Sequence, residues 1–328
     1  MFTAQISVDS PFTASSTAED VIQGVDLTGK TVIVTGGYAG LGREATRVLL
    51  SAGAKVIVPA RNLDKAGENL AHLPGVIIEP MDLMNPDSID AFARRFTEQY
   101  GTLDLLINNA GTMAAPLSRD ARGYESQFST NVLGHFQLTC RLWPALVAAR
   151  GARVVMVSSA NHHLTVADLL HDPNFDHTPY DPWKSYAQSK GANALLAVAI
   201  DHLGQQNQIH AYSVHPGGSW ETDLARYITD DSIAKAAGMI DEQGQVIIDP
   251  EKGWKTVEQG ASTIVWAATS PLLVDQGGAY CADCNVDRPA PDEEAHFPPV
   301  GVSPSVTDPV TAGRLWQMCE GLSGARID

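Results

Sequence analysis

Tyr186 and Lys190 stand four positions apart, so on a helix their side chains leave the same face. A free phenol with a pKa near ~10 is a poor acid–base catalyst at neutral pH. An adjacent ammonium favours the phenolate, so Lys190 is expected to lower the pKa of Tyr186 toward the working range. Upstream, the pair Ser158-Ser159 offers a hydroxyl that can donate to a carbonyl oxygen and steady its developing negative charge. Asn131 adds a polar group inside a helical stretch. Each residue also has a plain structural reading. The tyrosine and lysine could share a face by accident, the asparagine could be a satisfied polar residue between helices, and the serines could end a strand.

These residues must be brought together by elements far apart in the chain. The stretch TGGYAGLGRE, residues 35 to 44, follows an apolar run and opens a helical pattern, so its backbone N–H groups would face an anion at a helix N-terminus. Its spacing is T-G-x-x-x-G-x-G, through Thr35, Gly36, Gly40 and Gly42. Strand-like runs at 31–35, 55–59, 76–80, 103–108, 153–158, 209–215 and 279–281 alternate with helical periods at 42–52, 88–100, 124–148, 186–203 and 257–268. That alternation predicts an α/β fold: a doubly wound, mostly parallel sheet of Rossmann type, in three layers. Ligands bind such sheets beyond the carboxyl ends of the strands. The glycine turn, residues 108–111, Ser158-Ser159 and residues 215–218 therefore converge on one edge. Residues 1–28 read as an N-terminal arm, 29–287 as a single dinucleotide-binding and catalytic domain, and 288–328 as a surface tail. The stretches 160–184 and 219–254 interrupt the rhythm. The second, with Trp220, Leu224, Tyr227, Ile228, Met239 and Ile240, reads as an apolar substrate lid.

In order along the chain, Thr35 to Gly42, Asn108-Asn109-Ala110-Gly111, Tyr186-Ala187-Gln188-Ser189-Lys190 and Pro216-Gly217 resemble the short-chain dehydrogenase/reductase superfamily over residues 28 to 285. VSSANHH, followed by an insertion before YAQSKGANAL, resembles the retinol-dehydrogenase and WW-domain-oxidoreductase-like branch. The resemblance implies a catalytic tetrad of Asn131, Ser159, Tyr186 and Lys190. Hydride would move between the nicotinamide and a substrate carbon while Tyr186 handles the proton. Lys190 would also bind the nicotinamide ribose, and Asn131 would hold a water that passes protons to it. The cofactor would lie against Gly36, Tyr38, Gly40, Leu41, Gly42, Arg43, Arg61, Asp82, Leu83, Asn109, Ala110, Gly111, Tyr186, Lys190, Pro216 and Gly217, with Asp82 at the adenine. Two departures stand out. Ser159 precedes Tyr186 by 27 positions, where short members have about a dozen. The threonine expected after Pro216-Gly217 comes one residue late, as Thr222, with Trp220 or Glu221 bulging outward.

An NAD-specific site places a carboxylate at the end of the second strand, against the adenosine ribose. Here Ala60 takes that place and Arg61 follows, while Arg43 lies in the first turn after the glycines, an unfavourable place for a cation unless an anion binds nearby. Both arginines point to a 2′-phosphate, so NADP(H) is expected over NAD(H). The substrate is expected to be a hydrophobic or aromatic carbonyl or alcohol. The same framework would also serve C=C or C=N reduction, or a binding protein that senses NADP without chemistry.

Composition narrows the remaining classes. A formal charge of −16 and no basic patch argue against nucleic acid. No apolar run approaches the roughly 20 residues of a membrane helix. The N-terminus lacks the basic start and apolar core of a secretory signal, so a soluble, cytoplasmic protein is expected, with a homo-oligomer left open. Cys281 and Cys284 form a C-x-x-C without further ligands in spacing, and read as packing cysteines. His162 and His163 read as a polar loop lining the substrate entrance, with no metal. His215 reads as a strand-end residue near the nicotinamide.

Overall fold

The computed structural model describes residues 5–164, 169–220, 222–228, 230–236, 238–290 and 301–327. The strands are β1 (Thr31–Val34), β2 (Lys55–Ala60), β3 (Ile77–Pro80), β4 (Leu105–Asn108), β5 (Arg153–Val157), β6 (His210–His215), β7 (Tyr280–Ala282) and β8 (Asn285–Val286). The helices are α1 (Ala18–Ile22), α2 (Gly40–Ser51), α3 (Leu63–Leu70), α4 (Pro86–Tyr100), α5 (Ser126–Phe128), α6 (His135–Ala149), α7 (Pro182–Gly204), α8 (Asp231–Ala236), α9 (Val257–Thr269) and α10 (Pro309–Ser323). The strands form one sheet in the order β3-β2-β1-β4-β5-β6-β7-β8, parallel except for the final β7–β8 pair. Chain order reverses between β1 and β4, which is where such a sheet opens a crevice.

The central strands read as unbroken apolar runs because both faces are covered. Ile33, Ile57, Leu106 and Val154 pack toward α4, α6 and α7, while Val34, Val58, Ile107 and Val155 pack toward α2 and α9. The doubly wound architecture expected from the alternation is the one observed. β8 was not expected: at two residues it is too short to show a period. A tight turn through Asp283 and Cys284, both in the left-handed region, folds it back on β7. That turn fixes the C-x-x-C spacing, and Cys281 and Cys284 are free buried thiols.

The helical period read over 124–148 is broken. α5 gives way to a π-helical segment, Ser129–Gly134, before α6 begins. Of the two ends of the chain, the tail differs from its reading as surface. The arm is docked: Val21 and Ile22 are buried, and the Val8 amide donates to Asn285 Oδ1 (2.8 Å). The tail carries α10, whose Leu315, Trp316 and Cys319 are buried against α6 and α7, with Trp316 edge-on to Phe136 at 4.7 Å. Its apolar spacing is hidden in sequence by the Pro- and Asp-rich residues before it, of which 291–300 lie outside the described residues. Among the described residues, no helix is long and apolar enough to cross a membrane.

Candidate active site

The crevice at the carboxyl edge of the sheet is a cavity of about 930 Å³. One end is the glycine turn. Gly36 takes φ +65°, and a Cβ there would stand 3.0 Å from Ala110 Cα. A Cβ on Gly42 would collide with Asn109 Nδ2 and with the Gly36 carbonyl. The turn is therefore closed onto the 109–111 loop as tightly as a bare backbone allows. α2, which it opens, has no side-chain cap, whereas α3, α4, α7, α9 and α10 are capped by Asn62, Asn85, Asp181, Thr256 and Asp308. The uncapped N–H groups beside a cradle without side chains fit a phosphate.

Thr35 joins the turn to the 109–111 loop. Its hydroxyl accepts from the Asn109 and Ala110 amides (both 3.0 Å) and lies 2.9 Å from His135 Nε2. With its lone pairs so engaged, the hydroxyl proton is donated to Nε2. His135 then carries its proton on Nδ1, which donates to the Asn131 carbonyl (3.0 Å). Full burial pushes His135 down to about 4, which keeps it neutral. Sequence reasoning passed over His135; its signal was its place one helical turn after Asn131.

Asn131 sits in the π-helical segment and is completely buried. Its Nδ2 donates to the Thr112 carbonyl (3.0 Å) and Ser189 Oγ (2.9 Å), and its Oδ1 accepts from the Thr112 amide (2.9 Å). The side chain thus holds the loop after Gly111.

Tyr186 and Lys190 project from one face of α7, with Lys190 Nζ 5.6 Å from the centre of the Tyr186 ring. Nζ donates to the Val157 carbonyl (2.9 Å). Burial works against the lowering of Tyr186 expected from this neighbour and pushes the phenol up to about 12, against the pull of a hydrogen bond with Ser159. Burial also brings Lys190 down to about 8. Desolvation disfavours the charged form of both groups.

Ser158 and Ser159 divide their tasks. Ser158 Oγ is buried and donates to the Lys190 carbonyl (2.8 Å). Ser159 Oγ faces the cavity and accepts from the Asn161 amide (3.2 Å), which leaves its O–H to donate. The cavity is also lined by Gly36, Tyr38, Gly40, Leu41, Gly42, Arg61, Asp82, Leu83, Asn109, Ala110, Gly111, Tyr186, Lys190, Pro216 and Gly217. Arg43 is exposed on α2 and outside this lining, because Gly42, Ala45 and Thr46 take the inward face. Lys65, one turn into α3, joins Arg61 there instead.

The far side is walled by Trp183 from the insertion and by Trp220, Leu224, Tyr227, Ile228, Met239 and Trp254. Ile240 is buried outside the lining. Thr222 lies against the glycine turn, its Cγ2 3.1 Å from where a Gly40 Cβ would be, and its hydroxyl donates to the Ser219 carbonyl (3.2 Å). Glu221 lies outside the described residues. His162 and His163 are not at the entrance. His162 is 1% exposed, and neither histidine lines the cavity. His215 does line it, beside Pro216.

A family model for short chain dehydrogenases matches residues 30–171. The chain is 40% identical over 300 residues to a protein of Streptomyces antibioticus named "Probable oxidoreductase", covering 89% of this chain and 97% of that one. It is 32% identical over 326 residues to the short-chain dehydrogenase/reductase prx1 of Penicillium roqueforti, covering 96% and 92%. This chain belongs to the short-chain dehydrogenase/reductase superfamily. Among solved structures of the superfamily's fold, it is similar to the Pseudomonas aeruginosa RhlG/NADP active-site complex, with a TM-score of 0.58, 25% identity, and coverage of 78% of this chain and 95% of that one. As an oxidoreductase of this superfamily it uses a nicotinamide dinucleotide, which the glycine turn and uncapped α2 fit and for which the crevice has room.

Proposed function

We propose that this oxidoreductase exchanges hydride between NADP(H) and the carbonyl/alcohol pair of an apolar or aromatic substrate. The observation that carries the reading is the cavity floor, where the Ser159 hydroxyl and the buried Tyr186 phenol are hydrogen-bonded to each other and both line the cavity. When bound, the dinucleotide supplies or takes the hydride at its nicotinamide ring. Ser159 holds the substrate oxygen through its O–H, and Tyr186 gives that oxygen its proton in reduction or removes it in oxidation. Lys190, still charged at neutral pH, stabilises the phenolate as the proton leaves. Asn131 fixes the Gly111–Thr112 backbone beside Lys190, since a Cβ on Gly111 would lie 3.3 Å from Asn131 Oδ1 and 3.6 Å from Nζ.

Three features support the cofactor and substrate choices. No carboxylate stands at the end of β2, where Ala60 is buried, and Arg61 and Lys65 line that end of the cavity. Three tryptophans line the cavity and favour flat apolar substrates. The stretch 219–254 serves as the lid over them, and the long insertion before Tyr186 supports the retinol-dehydrogenase-like branch.

The test is catalytic efficiency with NADPH and NADH on a panel of ketones, aldehydes and alcohols, repeated for Arg61→Ala. NADPH and bulky apolar ketones are expected to be favoured, with Arg61→Ala harming NADPH more than NADH. Preference for NADH, or for small charged keto acids, would overturn the corresponding part. Reduction of C=C or C=N bonds alone would replace the carbonyl reading.

A further inference from the structure

The peptide unit that joins Ser159 to Ala160 is held at both ends by histidines. On one side the Ala160 amide donates to Nδ1 of His215 (3.2 Å), which also lies 3.4 Å from the Gly217 amide. On the other side the Ser159 carbonyl lies 2.7 Å from Nδ1 of His162. The backbone turn alone would give that carbonyl only the His162 amide, at 3.1 Å. The imidazole adds a second and shorter bond.

The tautomer of His162 follows from its other nitrogen. The Ser303 amide donates to Nε2 (3.1 Å), so Nε2 carries the lone pair. The ring's one proton is then on Nδ1, pointed at the Ser159 carbonyl, with the Tyr280 hydroxyl 3.1 Å from the same nitrogen. Burial pushes His162 down to about 3 and His215 to about 4, so both rings are neutral throughout the working range. His163 stacks on His162 at 4.1 Å, and its own Nε2 bonds the Gly301 carbonyl (2.8 Å). The segment leading to α10 thereby sets the proton that grips the serine loop.

We propose that His162 is a positioning residue for Ser159: by gripping the Ser159 carbonyl it fixes the peptide plane that aims the serine hydroxyl at the substrate oxygen. This rests on the oxygen-binding role given to Ser159 above. Two conservative variants separate the two bonds. His162→Asn keeps a donor at the place of Nδ1 and loses the acceptor for Ser303. His162→Gln keeps an acceptor at the place of Nε2 and loses the donor to Ser159.

Steady-state kinetics on a ketone turned over by the unmodified protein reads the difference. His162→Gln is expected to lower kcat about tenfold while the KM for reduced cofactor is unchanged, and His162→Asn to retain kcat within about threefold. In a Ser159→Ala background, His162→Gln is expected to cost less than about twofold. Unchanged kcat in His162→Gln, or its full effect persisting without the serine hydroxyl, would overturn the proposal. Ser159→Ala leaving turnover intact would instead remove the role on which it rests, so the two failures are told apart. Should His162→Gln not fold, Ser303→Pro removes the amide that fixes the tautomer, together with an exposed hydroxyl contact to Ser305, at a residue already at φ −62°. A kcat about threefold lower is expected there, from a loosened but surviving grip, and an unchanged one would overturn the proposal.

Discussion

The floor and the lid of the crevice are built on opposite principles. On the floor, Asn131, Ser158, Tyr186 and Lys190 are buried, and each polar group is held by named partners from distant elements. The proposed lid crosses the cavity on an exposed ion pair, Lys65 to Asp223 at 2.8 Å, with side chains 52% and 62% exposed, and on a half-buried bond from Arg226 to Thr112 at 3.0 Å. Buried, fully partnered polar groups have one arrangement and leave little room to move. Exposed ion pairs contribute little and are screened by salt. On the function proposed above, reaction chemistry belongs to the tightly bonded half, and admission of cofactor and substrate to the loosely bonded one.

The comparison breaks most readily at Tyr186. Tyr186→Phe keeps the ring and is expected to lower kcat by roughly 10²–10⁴-fold, with cofactor affinity measured by nicotinamide fluorescence nearly intact. Arg61→Ala is expected to reduce NADPH efficiency about ten- to a hundredfold, the range for a lost bond to a charged phosphate, and to spare NADH. An equal loss with both cofactors would remove the 2′-phosphate from that end of the crevice.

pH sharpens the contrast more gently. Lys190 ionises at about 8, so it is charged below that value and neutral above it. Tyr186, at about 12, stays protonated throughout. Ketone reduction is expected to be level through neutral pH and to fall as pH passes about 8. A rate rising through that range would contradict the roles given to the pair. The smallest effect belongs to the lid. Asp223→Asn is expected to leave kcat unchanged, to shift stability by less than about 1 kcal/mol, and to raise the cofactor off-rate in a stopped-flow chase. A loss of kcat as large as that of Tyr186→Phe would erase the distinction between the halves.

How far the site could be read from sequence follows from how its contacts are spaced. Tyr186 and Lys190 were legible because a helix puts residues four apart on one face, and the glycine turn because its spacing is local. The central strands showed as apolar runs because both their faces are covered. The bonds that order the serine loop join residues far apart, such as His162 and Ser303, and no local pattern announces them. Burial decided the pKa of Tyr186, and a lysine four residues away gave no measure of it. α10 was missed because its buried stripe follows a stretch that reads as surface, and the π-helical segment because it preserves an apolar run while shifting the phase.

The most direct test is a single-turnover experiment: protein in excess over NADPH, mixed with a bulky aromatic ketone, and the reduced nicotinamide absorbance followed. The expected result is a loss of that absorbance in step with alcohol formation, abolished in Tyr186→Phe while the NADPH still binds. Binding of NADPH with no loss of absorbance across the ketone panel, or equal loss in Tyr186→Phe, would contradict it.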